Sequence, residues 1–197
     1  MKKNMIVLFT LLLSIIAYAE VNVGVDVYNR YVWRGTDFGN AASIQPGIDY
    51  TIAGVTVGAW GAWAINGAPG GNENDLFVST SIGPVDLTVT DYFFPEYAGT
   101  DNILDLDNHI LEVSAGTELG AVTTLFAINI SGDDDNSAYV ELGYKALSIG
   151  FGNGFYSTDG GFAPVSIGLS GEKDNISVSY IINPDQETSF LIVGYSF

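Results

Sequence analysis

The sequence predicts an all-β chain, specifically a transmembrane antiparallel up-and-down β-barrel of about twelve strands. Three observations carry this. Apolar and polar residues alternate with a period of two along most of the chain, the mark of extended strands with one greasy and one wet face. Connections are short, two to four residues, after even-numbered strands and longer after odd ones, as in outer-membrane barrels. An even strand count also brings the first and last strands together antiparallel and leaves no open edge. A soluble sandwich would instead need a packed core behind the apolar face.

The chain opens on Lys2 and Lys3, an apolar run from Met5 to Ile16, and Ala17-Tyr18-Ala19. These read as the basic, apolar and cleavage regions of a secretory signal peptide over residues 1–19, leaving 20–197 as the barrel. The run is shorter than the roughly 20 residues a membrane helix needs. Removing the leader takes the formal charge from −17 to −19 and leaves only Arg30, Arg34, Lys145 and Lys173 as bases. Such an acidic chain lacks the basic patches that nucleic acid requires, so no nucleic-acid partner is expected. The absence of cysteine excludes disulfides and thiolate metal sites.

The predicted first strand is Val21–Gly35, with Val21, Val23, Val25, Val27, Asn29, Tyr31 and Trp33 on its apolar face. The second runs from Ser43 to Ile52 and the third from Val55 to Ile65, joined by Ala53-Gly54. Asn66–Asn74 is a loop by its Gly, Pro and Asn content. Leu76–Ile82 and Val85–Phe93 form a fourth and fifth strand across Gly83-Pro84. After the polar stretch Glu96–Asn108, Leu111, Val113 and Ala115 mark the sixth. Val122–Ile130 is the seventh, and Ser131–Ser137 an acidic loop. Val140, Leu142 and Tyr144 mark the eighth, and Leu147, Ile149, Phe151 and Phe155 the ninth. Val165, Ile167 and Leu169 mark the tenth, Ile176–Ile182 the eleventh, and Leu191, Val193, Tyr195 and Phe197 the last.

The outward face carries almost no charge, with Asp91 the exception. Aromatic residues crowd the strand ends, among them Tyr31, Trp33, Trp63, Phe93, Tyr144, Phe155 and Phe197, where interfacial girdles sit. Asn29 and Asn153 also fall on this face; a bulge near each would shift the parity.

Asn29-Arg30-Tyr31-Val32-Trp33-Arg34-Gly35 resembles the first-strand signature of the TorF-like family of putative porins. Val57-Gly58-Ala59-Trp60-Gly61-Ala62 with Asp75, and Asp91-Tyr92-Phe93-Phe94-Pro95, are similar to that family's second hairpin and fifth strand. The resemblance covers the first half of the mature chain and the last strand, and Ala62-Trp63 departs from it. Tyr195-Ser196-Phe197 resembles the aromatic C-terminal signal read by the outer-membrane assembly machinery. The resemblance implies a small bacterial outer-membrane barrel of porin type.

With apolar positions facing lipid, the lumen collects Asp26, Arg30, Arg34, Asp49, Asp86, Glu112, Glu141 and Lys145 as pore-lining residues. Inward glycines would keep the bore open. Inward acids outnumber bases five to three, and acidic rings favour cations. Arg30 and Arg34, four apart in one strand, would lie about 13 Å apart on one face. They would either face acids across a constriction or brace the wall against Asp26 and Asp49.

No enzyme is expected: His109, the single histidine, has Asp107 nearby but no nucleophile motif. The clusters Asp133-Asp134-Asp135 and Asp101/Asp105/Asp107 do not follow the calcium-loop spacing, and no metal or cofactor is expected. The expected function is passive diffusion of small solutes or cations through a narrow acidic lumen in the outer membrane. The alternative is a non-conducting barrel, plugged by loops or by inward Phe190 and Ile192, that acts through its surface. Monomer and homo-oligomer both stay open.

Overall fold

The computed structural model describes residues 20–67 and 71–197; the expected signal peptide, residues 1–19, lies outside the described residues. Fourteen strands follow in order: β1 Glu20–Tyr28, β2 Tyr31–Trp33, β3 Thr36–Phe38, β4 Ser43–Ile52, β5 Val55–Ala64, β6 Glu73–Ile82, β7 Val85–Phe93, β8 His109–Leu119, β9 Val122–Ser131, β10 Ala138–Tyr144, β11 Leu147–Gly152, β12 Ala163–Lys173, β13 Ile176–Asn183 and β14 Thr188–Ser196. β1 and β4–β14 form a closed barrel of twelve antiparallel strands, each beside its sequence neighbour, with β1 sealing against β14. Every short turn lies at the end where Glu20 and Phe197 sit, and every long connection at the other.

Alternation decides which residues look out. Val23 is 72% exposed, Leu191 60% and Leu169 54%, and comparable apolar residues continue around the barrel. Monomeric soluble proteins rarely expose a contiguous apolar surface of this extent. Asp91, the outward acid, is paired: its Oδ1 lies 2.8 Å from His109 Nδ1, and the imidazole packs on Phe93 with ring centroids 4.8 Å apart.

The first predicted strand is corrected. The wall strand ends at Tyr28, and Tyr31–Phe38 is a separate hairpin, β2–β3. Asn29 makes the break. Its Nδ2 donates to the Leu191 carbonyl at 3.1 Å, and its Oδ1 accepts the Val193 N–H at 2.8 Å. A side-chain amide thus stands in for the backbone amide that a continuing strand would supply to β14, and the chain is free to turn inward. No bulge is involved.

Asn153 is likewise off the outward apolar face. It follows β11, and its Oδ1 accepts the Ala138 N–H at 2.7 Å. Phe155 belongs to the 3-10 turn Gly154–Tyr156 that follows, not to a strand. A bulge does occur between β11 and β12, where Gly150 opposes Ser166 and Phe151 opposes Pro164. The extra residue, Val165, is wholly buried rather than outward.

The inward glycines differ: a Cβ on Gly24 would meet open space, but at others its place is occupied. A Cβ on Gly58 would strike the Phe77 ring, one on Gly150 the Tyr139 phenol, and one on Gly194 the Tyr28 ring. Each of these three is a seat for an inward aromatic of the adjoining strand.

Candidate functional site: a hairpin seated in the lumen

The strand pair β2–β3 turns through Arg34 and Gly35, opposite ends Trp33 and Thr36 being paired. Both turn residues have positive φ, 50° and 84°, the type I′ combination that suits a two-residue hairpin loop. Glycine at the second position is required twice over. Its φ is left-handed, and a Cβ there would run into the Val165 carbonyl oxygen.

The hairpin crosses the barrel interior at the long-loop end. At its start, the Tyr31 hydroxyl donates to Glu73 Oε2 on β6 at 2.6 Å, with both residues buried. At its tip, the Gly35 carbonyl accepts from Asn183 Nδ2 at 3.1 Å beside Val165 of β12. β6 and β12 are six strands apart in the ring of twelve, so the hairpin spans the bore from wall to opposite wall.

Arg34 is the central anchor. Its Nη1 lies 2.5 Å from Glu112 Oε2 and its Nη2 3.0 Å from Glu112 Oε1, a two-pronged pair between planar groups. It also donates to the Tyr156 hydroxyl. Its guanidinium packs over Trp33 and Tyr139, 4.3 and 4.7 Å from the ring centroids. Only 8% of the Arg34 side chain and 2% of Glu112 is exposed. Burial alone would favour loss of the proton, but the Glu112 hydrogen bond outweighs it and holds the guanidinium even more firmly charged than usual. Tyr92 donates to the same carboxylate at 3.1 Å.

Rings complete the seat. Tyr31 lies 5.2 Å from Phe38 and 5.7 Å from Trp60, and Trp33 lies 5.5 Å from Tyr92 and 5.7 Å from Tyr156 by ring centroids. The Tyr31 phenol is kept protonated well above its usual range, by burial first and the Glu73 carboxylate second. Tyr31 and Trp33, expected in an outer girdle, are therefore interior residues.

The structure brings only two of the expected pore-lining residues, Arg34 and Glu112, into this site. Arg30 is not on a shared strand face with Arg34. It sits at the bend after β1, donating to Asp37 at 3.3 Å and to Asn40, with its guanidinium 5.4 Å from the Phe190 ring. Asp26 and Asp49 face inward on β1 and β4, where Asn22 donates to Asp49 at 2.9 Å. Neither reaches an arginine. Asp86 sits inward near the short-turn end and accepts from Ser81. Glu141 accepts from Tyr139 at 2.7 Å. Lys145 is in the β10–β11 turn, with Nζ 5.3 Å from the Tyr144 ring, not on the wall. Ile192 is buried and faces inward with Phe190.

Sequence reasoning missed Tyr31, Gly35, Glu73, Tyr156 and Asn183. Gly35 after Arg34 and Gly39-Asn40 soon after were the available turn signals. Glu73 falls in the predicted Asn66–Asn74 loop, whereas in the structure it opens β6.

Two cavities are present among the described residues, and the second is lined in part by the hairpin. Toward the short turns, about 340 Å³ is bounded by Asp26, Gln45, Asp49, Trp60 and Phe77 among others. At the long-loop end, about 390 Å³ is lined by Trp33 and Phe38 of the hairpin, Tyr92 and Phe94, and Phe155 and Tyr156. Its polar lining includes Asp107, Asn129 and Asp134.

A family model described as a bacterial protein of unknown function, Gcw_chp, matches residues 17–176. No curated protein and no solved structure matches the chain.

Proposed function

The chain belongs to the bacterial Gcw_chp family, and we propose that it is an outer-membrane barrel acting as a gated channel for small solutes. The observation that carries this reading is the β2–β3 hairpin, which blocks the lumen through separable polar anchors at Glu73, Glu112 and Asn183.

Lipid is the solvent that suits the apolar exterior, because a closed barrel satisfies every backbone group within a bilayer. The long connections then face outside and the short turns the periplasm, with Phe197 at the periplasmic rim. The TorF-like porin resemblance and its aromatic C-terminus accord with this placement and with assembly through the last strand.

Inward residues on the periplasmic side of the hairpin are mostly small or hydroxyl-bearing, including Thr51, Thr56, Ser79, Ser114, Gly116, Ser148 and Ser177. Displacing the hairpin would break its ring contacts with Trp60, Tyr92 and Tyr156 and leave these polar residues lining the bore below it. Acidic Asp26, Asp49 and Asp86 on that wall favour cations. Neither cavity brings together the nucleophile and base of an enzyme.

The test is planar-bilayer recording of the folded protein beside a variant in which residues 31–38 are replaced by a glycine-serine linker. Rare or no openings in the wild type and steady current in the variant are expected, with reversal potentials showing cation preference. A silent variant would sink the channel reading. It would leave the second reading, a permanently plugged surface protein, which the burial of Arg34 and Glu112 favours.

A further inference from the structure

We propose that the outer cavity is a binding site for a small primary ammonium compound with an aromatic or apolar body. This goes beyond the channel reading and does not require the bore to conduct.

The cavity, about 390 Å³, falls within the range of small-molecule sites. Its apolar surface is aromatic, and Trp33, Phe155 and Tyr156 come from the hairpin and from the turn that anchors it. Its lining contains no lysine, arginine or histidine. Arg34 lies nearby, but its charge is engaged by Glu112. An anionic ligand would therefore find no counter-charge.

The polar groups are acceptors. Asp107 and Asp134 are exposed and make no ion pair among the described residues. Asn129, only 4% exposed, supplies an independent sign. Its Nδ2 donates to Asp133 Oδ2 at 2.8 Å. A carboxylate can only accept here, so the amide orientation is set. Oδ1 is then the atom left over, buried and without a hydrogen-bond partner among the described residues. An unfilled buried acceptor is costly and is satisfied by an N–H or O–H donor.

Rings attract cations through their faces, carboxylates supply the charge, and the enclosed Asn129 Oδ1 would gain a donor hydrogen on a small turn of its side chain toward the cavity. A primary ammonium meets all three demands. A quaternary ammonium lacks the hydrogen, and a neutral sugar makes no use of the two free carboxylates.

The test is calorimetric titration of the detergent-folded full chain with benzylammonium, with tryptophan emission, to which the cavity-lining Trp33 contributes, as a second readout. Benzyl alcohol, benzoate, tetramethylammonium and glucose serve as comparison probes. Saturable benzylammonium binding is expected, at least tenfold tighter than any comparison probe and weakened by salt. Asp107→Asn with Asp134→Asn should weaken it about tenfold, as should Phe155→Ala, while the melting transition stays in place. Both acids and Phe155 are exposed, so these variants should fold. Absence of saturable binding, equal binding of benzyl alcohol or benzoate, preference for glucose, or an unchanged affinity in the double variant would each overturn the proposal.

Discussion

Arg34 and Glu112 are 78 positions apart in the chain and joined by two hydrogen bonds, 2.5 and 3.0 Å, inside the barrel. The pair ties a turn that the wall does not contain to a wall strand, β8, and so fixes where the hairpin stops. Removing one member leaves the other charged and almost wholly enclosed, which typically costs about 3–5 kcal/mol. Arg34→Ala and Glu112→Gln should each lower the unfolding free energy, read from urea titrations, by that order. The double variant should lose less than the two single losses combined. Full additivity would show that the two side chains do not act as a pair.

Gly35 tests the seat rather than the anchor. Its φ of 84° disfavours any side chain, and the Val165 carbonyl occupies the place of a Cβ. Gly35→Ala should destabilise the hairpin by about 1–3 kcal/mol. The fold of the wall should survive, read as unchanged far-ultraviolet dichroism alongside faster amide exchange at Trp33 and Thr36. Unaltered exchange would mean that the tip is not held against β12.

The contrast between wall and hairpin explains what the sequence disclosed. Period-two patterning and turn spacing specify the wall because each wall residue chooses between two unlike surroundings. The same pattern misread Tyr31 and Trp33, since β2 also alternates and its apolar side chains are buried inside the barrel rather than turned outward. The decisive signal is local and small: Asn29 at the break, and Arg34-Gly35 able to adopt positive φ. Glu112 and Arg34 were legible as inward charges, but their pairing depends on a chain reversal that strand periodicity does not encode. Val165 was lost to a bulge, which inverts parity without a distinctive residue type.

Asn29 carries a prediction of its own. Its amide satisfies both the Leu191 carbonyl and the Val193 N–H where β1 leaves β14. Asn29→Leu would strip both groups of their partner at the closing seam. The expected loss is about 1–3 kcal/mol, with faster exchange of the Val193 amide. Asn29→Asp should retain the bond to the Val193 N–H but not the donation to Leu191, and fall between wild type and Asn29→Leu. A leucine variant as stable as wild type would show that this side chain is not what closes the seam.

Asp133 gives a pH-dependent outcome confined to the loop between β9 and β10. Burial would raise its carboxyl pKa, but hydrogen bonds from Ser137 and Asn129 outweigh that and lower it below the usual 3.8. It accepts the Asp135 N–H at 3.0 Å and the Ser137 N–H at 2.9 Å, as well as the Asn129 side chain. A carboxylate whose folded pKa is depressed stabilises the loop fully above the unfolded value. That contribution is lost as pH falls through the lower folded value. Between neutral pH and pH 5, the protection of the Asp135 and Ser137 amides, corrected for intrinsic exchange, should stay level. Below about 3.8 it should fall in the wild type, and Asp133→Asn should show low protection throughout. Protection that began to fall well above pH 4 would place the titration on another group.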